Sequence, residues 1–354
     1  MTKRIVIMAG GTGGHVFPAL AVAEFLKEQG WQVSWLGTQA GLESRVIPEQ
    51  GIAIDWLSVA GVRGKGLWSK ASAVFKLFKA CVQAAKILRQ RKPDVVLGMG
   101  GFVAGPGGLM AKLLGIPLII HEQNRVPGTT NRLLARWANQ VLEAFPNSFP
   151  KKIGAQCTGN PLRKPFVQVR PKISGSRLDG INILVVGGSQ GAQILNETVP
   201  EAVALLIGGV DVHIKHQTGS AMLEQVSEHY QRLGIKAEAS AFIGDMVAAY
   251  QWADLVICRA GAMTVSEVAA LGIPAIFIPL PGAIDDHQTA NARYLTDAHA
   301  GLLLMQKDLN ANRLAEYIGQ ISQQLATMGE AAKQCARLDA TEVVAKVCMA
   351  EAGV

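Results

Sequence analysis

Along this chain of 354 residues, short apolar runs rich in β-branched side chains alternate with stretches whose apolar residues recur at helical spacing. Residues 4–8, 32–37, 93–98 and 116–120 are runs of the first kind. Residues 181–186, 212–214, 241–245, 255–259 and 275–278 continue the series in the second half. Runs so uniformly apolar predict strands covered on both faces, as in a parallel sheet. Residues 19–26 have helical spacing instead, and the chain from Leu314 onward reads as helix. Strand and helix alternating over the whole length predict an α/β fold with doubly wound sheets.

Glycine clusters punctuate the strand ends. Gly10-Gly11-Thr12-Gly13-Gly14-His15 follows the first strand, Met99-Gly100-Gly101-Phe102 follows residues 93–98, and Gly187-Gly188-Ser189-Gln190-Gly191-Ala192 follows residues 181–186. A strand that feeds a glycine turn and then opens a helix aims backbone N–H groups and the positive helix end at one spot, which suits an anion. The first and last of these clusters lie about half a chain apart, as in two similar domains facing one cleft. Residues 161–180, with three prolines, several basic residues and Ser174-Gly175, read as the connection. The expected division is residues 1–163 and 164–337, with a helix over about 338–354 packing back on the first domain. A nicotinamide-dinucleotide fingerprint is absent. After Gly11 and Gly13 the third small residue would fall at Val16, and Ser34 to Thr38 hold no carboxylate for a ribose. No Gly-Lys-Ser/Thr follows either loop, which excludes a Walker phosphate loop.

Composition narrows the partners. Apolar residues make up 49% and charged ones 17%, enough to bury two cores and too little charge for disorder. The net charge of +7 points to an anionic partner, a phosphate ligand or an acidic membrane surface. No Lys/Arg-rich run of the kind that tracks a nucleic-acid backbone is present, so nucleic acid is not expected. Cys81, Cys157, Cys258, Cys335 and Cys348 are odd in number and scattered, without a C-x-x-C pair. Neither a zinc site nor a disulfide framework is indicated, and a reducing cytoplasm fits. Met1-Thr2-Lys3-Arg4 before an apolar run has the outline of a signal peptide, but glycines and His15 fall where its apolar region would continue. No apolar stretch reaches the roughly 18 residues of a bilayer span.

Candidate chemistry sits at the strand ends. His15 falls in the first turn of its helix, where the dipole favours neutral imidazole and hence a base; a capping or packing histidine is the plainer alternative. His121 and Glu122 read equally as an acid–base pair or as structural polar contacts. In Gly261-Ala262-Met263-Thr264-Val265-Ser266-Glu267, Thr264 and Glu267 have capping-box spacing, while the functional alternative puts ligand hydroxyls on Glu267 and phosphate on the neighbouring amides. Asp285 and Asp286 are adjacent and do not form an Asp-x-Asp pair, so no metal clamp on a diphosphate is signalled. Helix ends and amides would then stabilise a diphosphate leaving group. Residues 67–79 interleave Trp68, Phe75 and Phe78 with Lys76 and Lys79, as on a surface that dips into an anionic membrane; an amphipathic core helix gives a similar pattern.

Taken together and in order, these motifs, with His121-Glu122-Gln123-Asn124, Thr158-Gly159-Asn160-Pro161-Leu162-Arg163 and Asp286-His287-Gln288-Thr289-Ala290-Asn291, resemble the GT-B glycosyltransferases of peptidoglycan synthesis over nearly the whole chain. The resemblance implies two Rossmann-like domains facing a central cleft. It also implies metal-independent, inverting transfer of N-acetylglucosamine from UDP-N-acetylglucosamine to the 4-hydroxyl of undecaprenyl-diphosphoryl-N-acetylmuramoyl pentapeptide (lipid I), giving lipid II. No cofactor is implied. By that resemblance Arg163, Ser189 and the amides near Ala262, Met263 and Thr264 hold the diphosphate, Ile243 meets the uracil and Glu267 the ribose, with Val265 and Ser266 in the same donor site. Gln288 and Asn291 read the sugar, and Thr12, Gly13, Gly14 and Asn124 complete the donor site. His15 is the first candidate for the base and Glu122 the second. Gly100 and Gly101 face the acceptor. The expected location is the cytoplasmic face of the inner membrane, with other cell-wall synthesis enzymes as candidate partners. A UDP-N-acetylglucosamine 2-epimerase, which needs no membrane patch, and a non-catalytic sugar-nucleotide binding protein are the alternatives.

Overall fold

The computed structural model describes residues 2–58, 67–169, 180–188, 191–206 and 211–353, with the side chains of residues 67–74 and 284 left aside. The chain divides into two compact units, Met1–Lys164 with Arg337–Val354, and Pro165–Ala336.

In the first unit the strands are β1 (Arg4–Met8), β2 (Gln32–Gly37), β3 (Ala53–Trp56), β4 (Val95–Gly98), β5 (Leu118–Glu122), β6 (Gln140–Glu143) and β7 (Gln156–Cys157). They form one sheet in the order β3-β2-β1-β4-β5-β6-β7, each neighbouring pair parallel. Burial of both faces explains the uninterrupted apolar runs. Ile5 and Ile7 pack with Val16, Ala19, Ala23 and Leu26 of helix Gly13–Glu28, whereas Val6 and Met8 pack with Ala84 and Leu88 of helix Leu67–Arg91 and with Ala104 and Ala111 of helix Ala104–Leu113.

The second unit holds β8 (Ile181–Val186), β9 (Val212–Gln217), β10 (Ala237–Ser240), β11 (Leu255–Cys258), β12 (Ala275–Phe277) and β13 (Gly301–Leu303). Its sheet, β10-β9-β8-β11-β12-β13, is again parallel throughout and repeats the strand order of the first. This is the Rossmann order, in which the crossover direction reverses beside the first strand of each sheet. One expected strand is displaced. Residues 241–245 form the loop after β10, with Phe242 65% exposed, because only Ala237–Ser240 finds a register against β9.

The last helix, Ala340–Glu351, belongs to the first unit and buries Val344, Ala345 and Cys348 in the core beside helix Gly13–Glu28. Burying an aliphatic side chain of this size contributes about 1.5–3 kcal/mol. Thr341 Oγ1 donates to Leu162 O at 3.1 Å and Gln140 Nε2 to Glu351 Oε1 at 2.7 Å. The two preceding helices, Ala311–Ser322 and Leu325–Cys335, stay with the second unit. Among the described residues no helix is long and apolar enough to cross a membrane.

Candidate functional site

Because β1, β4 and β5 are neighbours, the loops that leave their carboxyl ends come together at one edge of the first sheet. Ligands of open α/β sheets bind at such edges. The two glycine loops pack back to back: a Cβ on Gly101 would lie 2.5 Å from Gly10 O, and one on Gly100 would lie 2.9 Å from His15 Cε1. Both glycines have positive φ, 97° at Gly100 and 80° at Gly101, so a side chain is excluded twice over. His15 is the third residue of helix Gly13–Glu28, whose N-cap Thr12 makes no side-chain cap bond. Part of this cradle is already filled from within. The Gly11 N–H donates to the buried Glu43 carboxylate at 2.9 Å, which also accepts from Thr38 N and Thr38 Oγ1 at 2.8 Å each. Glu43 carried no signal in the sequence, since its partners lie on other loops.

His15 Nδ1 lies 2.6 Å from Oε1 of Gln123, the residue after His121 and Glu122. The strand-end pair itself is buried and fully hydrogen-bonded. His121 is fully buried, its Nε2 donates to Gly159 O at 2.9 Å, and burial pushes its pKa down to about 4. Glu122 is 1% exposed, and both carboxylate oxygens are engaged: Oε1 accepts from Asn124 N (2.9 Å) and Nδ2 (3.2 Å), Oε2 from Gly128 N (3.1 Å) and Asn131 Nδ2 (2.9 Å). A carboxylate so enclosed holds the loop in shape. Arg163 stacks over the Phe17 ring at 5.1 Å, within the first unit.

In the second unit the loops after β8, β11 and β12 line a cavity of about 660 Å³, a size that suits a nucleotide. Gly188, Gly191, Gly261, Thr264 and Gln288 stand on its wall, as does Arg259, whose Nη1 donates to Ile278 O at 3.0 Å and Pro279 O at 3.1 Å. Burial lowers the Arg259 pKa. Gln217 ties this wall together: its Nε2 donates to Gly188 O at 2.8 Å and its Oε1 accepts from Ile243 N at 3.0 Å. Gln306 also lines the cavity, its Oε1 buried without a hydrogen-bond partner among the described residues.

Helix Ala262–Leu271 starts from Gly261 as N-cap, without a side-chain cap bond. Thr264 is therefore its third residue, and the Thr264–Glu267 capping box does not form. Glycine is itself a good N-cap, and it moves the helix start one turn earlier. Ala262 and Val265 are buried, Met263 and Ser266 half-buried; half-buried Glu267 accepts from Tyr250 OH at 3.4 Å. Gln288 Oε1 accepts from Leu280 N at 2.9 Å. Asn291 is fully buried and its Nδ2 donates to Ala260 O at 3.2 Å. Ser189 lies outside the described residues. Among the described residues no three His, Cys, Asp or Glu side chains gather as metal ligands.

Known proteins share this arrangement. Residues 5–143 match the model of the glycosyltransferase family 28 N-terminal domain, and residues 182–347 that of its C-terminal domain. The chain belongs to glycosyltransferase family 28. A family 28 relative from Methylococcus capsulatus, the UDP-N-acetylglucosamine--N-acetylmuramyl-(pentapeptide) pyrophosphoryl-undecaprenol N-acetylglucosamine transferase, is 59% identical over 100% of both chains. A Shewanella protein of the same name is 50% identical over 98% of this chain and 97% of its own. The crystal structure of Acinetobacter baumannii MurG superposes with a TM-score of 0.87 at 42% identity, covering 98% of this chain and 99% of that one. The calicheamicin glycosyltransferase CalG4, at 15% identity and a TM-score of 0.68, shares the fold. The chain is thus a family 28 enzyme of GT-B architecture.

One further feature of this family 28 chain lies away from the sheet edges. On helix Leu67–Arg91, Phe75 is 69% and Phe78 66% exposed, with Leu77 and Val82 exposed beside them and Lys76 and Lys79 also at the surface. Among the described side chains of this helix Ala80, Ala84, Ala85 and Leu88 are buried, so a core-helix pattern accounts for its end and not for residues 75–79. The Trp68 side chain lies outside the described residues.

Proposed function

We propose that this family 28 enzyme transfers N-acetylglucosamine from UDP-N-acetylglucosamine to the 4-hydroxyl of lipid I, with inversion, to give the β-1,4 link of lipid II in peptidoglycan synthesis. The observation that carries the reading is 59% identity over the full length of both chains with the Methylococcus capsulatus transferase, whose name gives the same donor and acceptor.

The donor's diphosphate sits against the glycines of residues 187–191 and the uncapped amides at Ala262, Met263 and Thr264, where backbone dipoles replace a metal in stabilising the departing UDP. Ser189 and Arg163 add to the diphosphate contacts, Val265 and Ser266 belong to the same donor site, Ile243 meets the uracil, Glu267 the ribose and Gln288 the sugar, with Asn291 alongside. The donor site draws also on Thr12, Gly13, Gly14 and Asn124. Gly100 and Gly101 border the acceptor. His15 takes the proton of the acceptor hydroxyl as its oxygen attacks the anomeric carbon, and the carbon–diphosphate bond breaks with its electrons leaving on UDP. The exposed Phe75 and Phe78, rimmed by Lys76 and Lys79, support docking on the anionic cytoplasmic face of the inner membrane, where the lipid carrier resides.

The test is incubation with UDP-N-acetylglucosamine and a lipid I analogue, following UDP release with and without a chelator. Release dependent on the acceptor and indifferent to the chelator is expected. Hydrolysis or epimerisation of the donor without transfer would overturn the reading.

A further inference from the structure

Resting on the reading of His15 as the base, we infer that Gln123 is a positioning residue that locks His15 in the tautomer with its hydrogen on Nδ1, leaving the lone pair on Nε2. Two backbone carbonyls fix the direction of every hydrogen bond in the chain that leads to His15. A carbonyl oxygen accepts and never donates. His121 O lies 3.0 Å from one end of the Gln123 amide, so that end is the NH₂ group. Independently, Gly159 O lies 2.9 Å from His121 Nε2, so that nitrogen carries the ring hydrogen.

Burial keeps His121 neutral, with its pKa near 4, so its Nδ1 is an acceptor, and the Gln123 NH₂ fills it at 3.0 Å. Both constraints turn Oε1 of Gln123 toward His15, 2.6 Å from Nδ1. An amide oxygen has no hydrogen to give, so Nδ1 donates, and the neutral ring keeps its lone pair on Nε2. Gln123 and His121 are both fully buried, which prevents water from replacing either partner. Gly100 completes the mount by leaving the space against the ring open.

The device does the orienting work that a carboxylate does in a hydrolase triad, without its charge. In the transfer, the acceptor O–H proton goes to Nε2 while the new oxygen–carbon bond forms and the diphosphate leaves; Nδ1 keeps its hydrogen throughout. Gln123 touches neither donor nor acceptor and acts only through the imidazole.

Full-length protein labelled with ¹⁵N-histidine reports the tautomer directly in long-range ¹H–¹⁵N correlation spectra, with His15 assigned by the signals missing from His15→Gln. The expected result is a pyridine-type Nε2 and a protonated Nδ1 on His15, and the opposite pattern on His121. A protonated Nε2 on His15, or averaged shifts on both of its nitrogens, would overturn the inference. In Gln123→Met the two His15 nitrogens should move toward averaged shifts. In the same variant kcat on the lipid I analogue should fall about tenfold, the effect of losing one hydrogen bond to the reacting ring, with KM for UDP-N-acetylglucosamine within about twofold. Unaltered His15 shifts in Gln123→Met would also overturn it. The wild-type spectrum decides the tautomer even if that variant fails to fold. The two readings fail separately: full turnover in His15→Ala removes the base, while a protonated Nε2 beside an inactive His15→Ala removes only the lock.

Discussion

Replacing Gly100 with alanine adds one carbon where the imidazole of His15 already sits. The added Cβ would lie 2.9 Å from His15 Cε1 and 3.0 Å from Nδ1. Comfortable contact begins at about 3.5 Å, so the ring must retreat by about 0.6 Å, and it is tied on its other side to Gln123. The backbone adds its own cost. Gly100 has φ of 97°, and an L-residue held at left-handed φ costs about 1–2 kcal/mol. Misplacing a catalytic group by about 1 Å lowers rates about 100-fold, so a shift somewhat smaller than this should lower kcat by about 10- to 100-fold. That is about 1.4–2.7 kcal/mol of barrier. UDP release would be measured at saturating donor on a lipid I analogue, with the urea midpoint and donor affinity followed in parallel. The expected outcome is a modest loss of stability, a large loss of kcat and donor affinity close to wild type. A folded Gly100→Ala protein with kcat within about twofold of wild type would show that nothing in the chemistry depends on where this ring stands.

Two other outcomes follow from burial and exposure. Phe75→Ser with Phe78→Ser should reduce binding to anionic vesicles severalfold while leaving the thermal midpoint unchanged, because both rings are more than half exposed; equal vesicle binding would detach this helix from the membrane. Stability should fall as the pH drops below about 6.5, where exposed histidines in the unfolded chain take up protons that His121, held to about 4, and His216, held to about 3, refuse when folded. Each ring contributes about 1.4 kcal/mol per pH unit in that window, and urea midpoints flat from pH 7 to 5 would contradict it.

The strand–glycine–helix units were legible because their causes are local. A strand buried on both faces must be apolar, and a turn at φ of 97° at Gly100 or 92° at Gly188 calls for glycine whatever the rest of the chain does. His15 was legible as a candidate for the same reason, since it sits in the first turn of the helix that follows such a loop. What holds these loops was not legible. Glu43 binds Gly11 from 32 residues away, Gln123 reaches His15 across 108, and Gln217 joins Gly188 to Ile243 across 29 and 26. Such side chains look like any other polar residue until the sheet order is known. Nor did the sequence show that Glu122 is enclosed by Asn124, Gly128 and Asn131, or that Asn291 reaches across to Ala260. At residues 241–245 the pattern itself misled, because Phe242 is apolar without being buried.

The return of residues 337–353 to the first unit also sets the order in which the two units can be completed during synthesis. Emerging from the ribosome, the second unit is one continuous segment, Pro165–Ala336, and all of it is available before the first unit is finished. The first unit begins first and completes last, since helix Gly13–Glu28 waits for Val344, Ala345 and Cys348 to cover it. Until then its apolar flank is open to water, which makes the nascent first unit the part of this chain most in need of protection from aggregation.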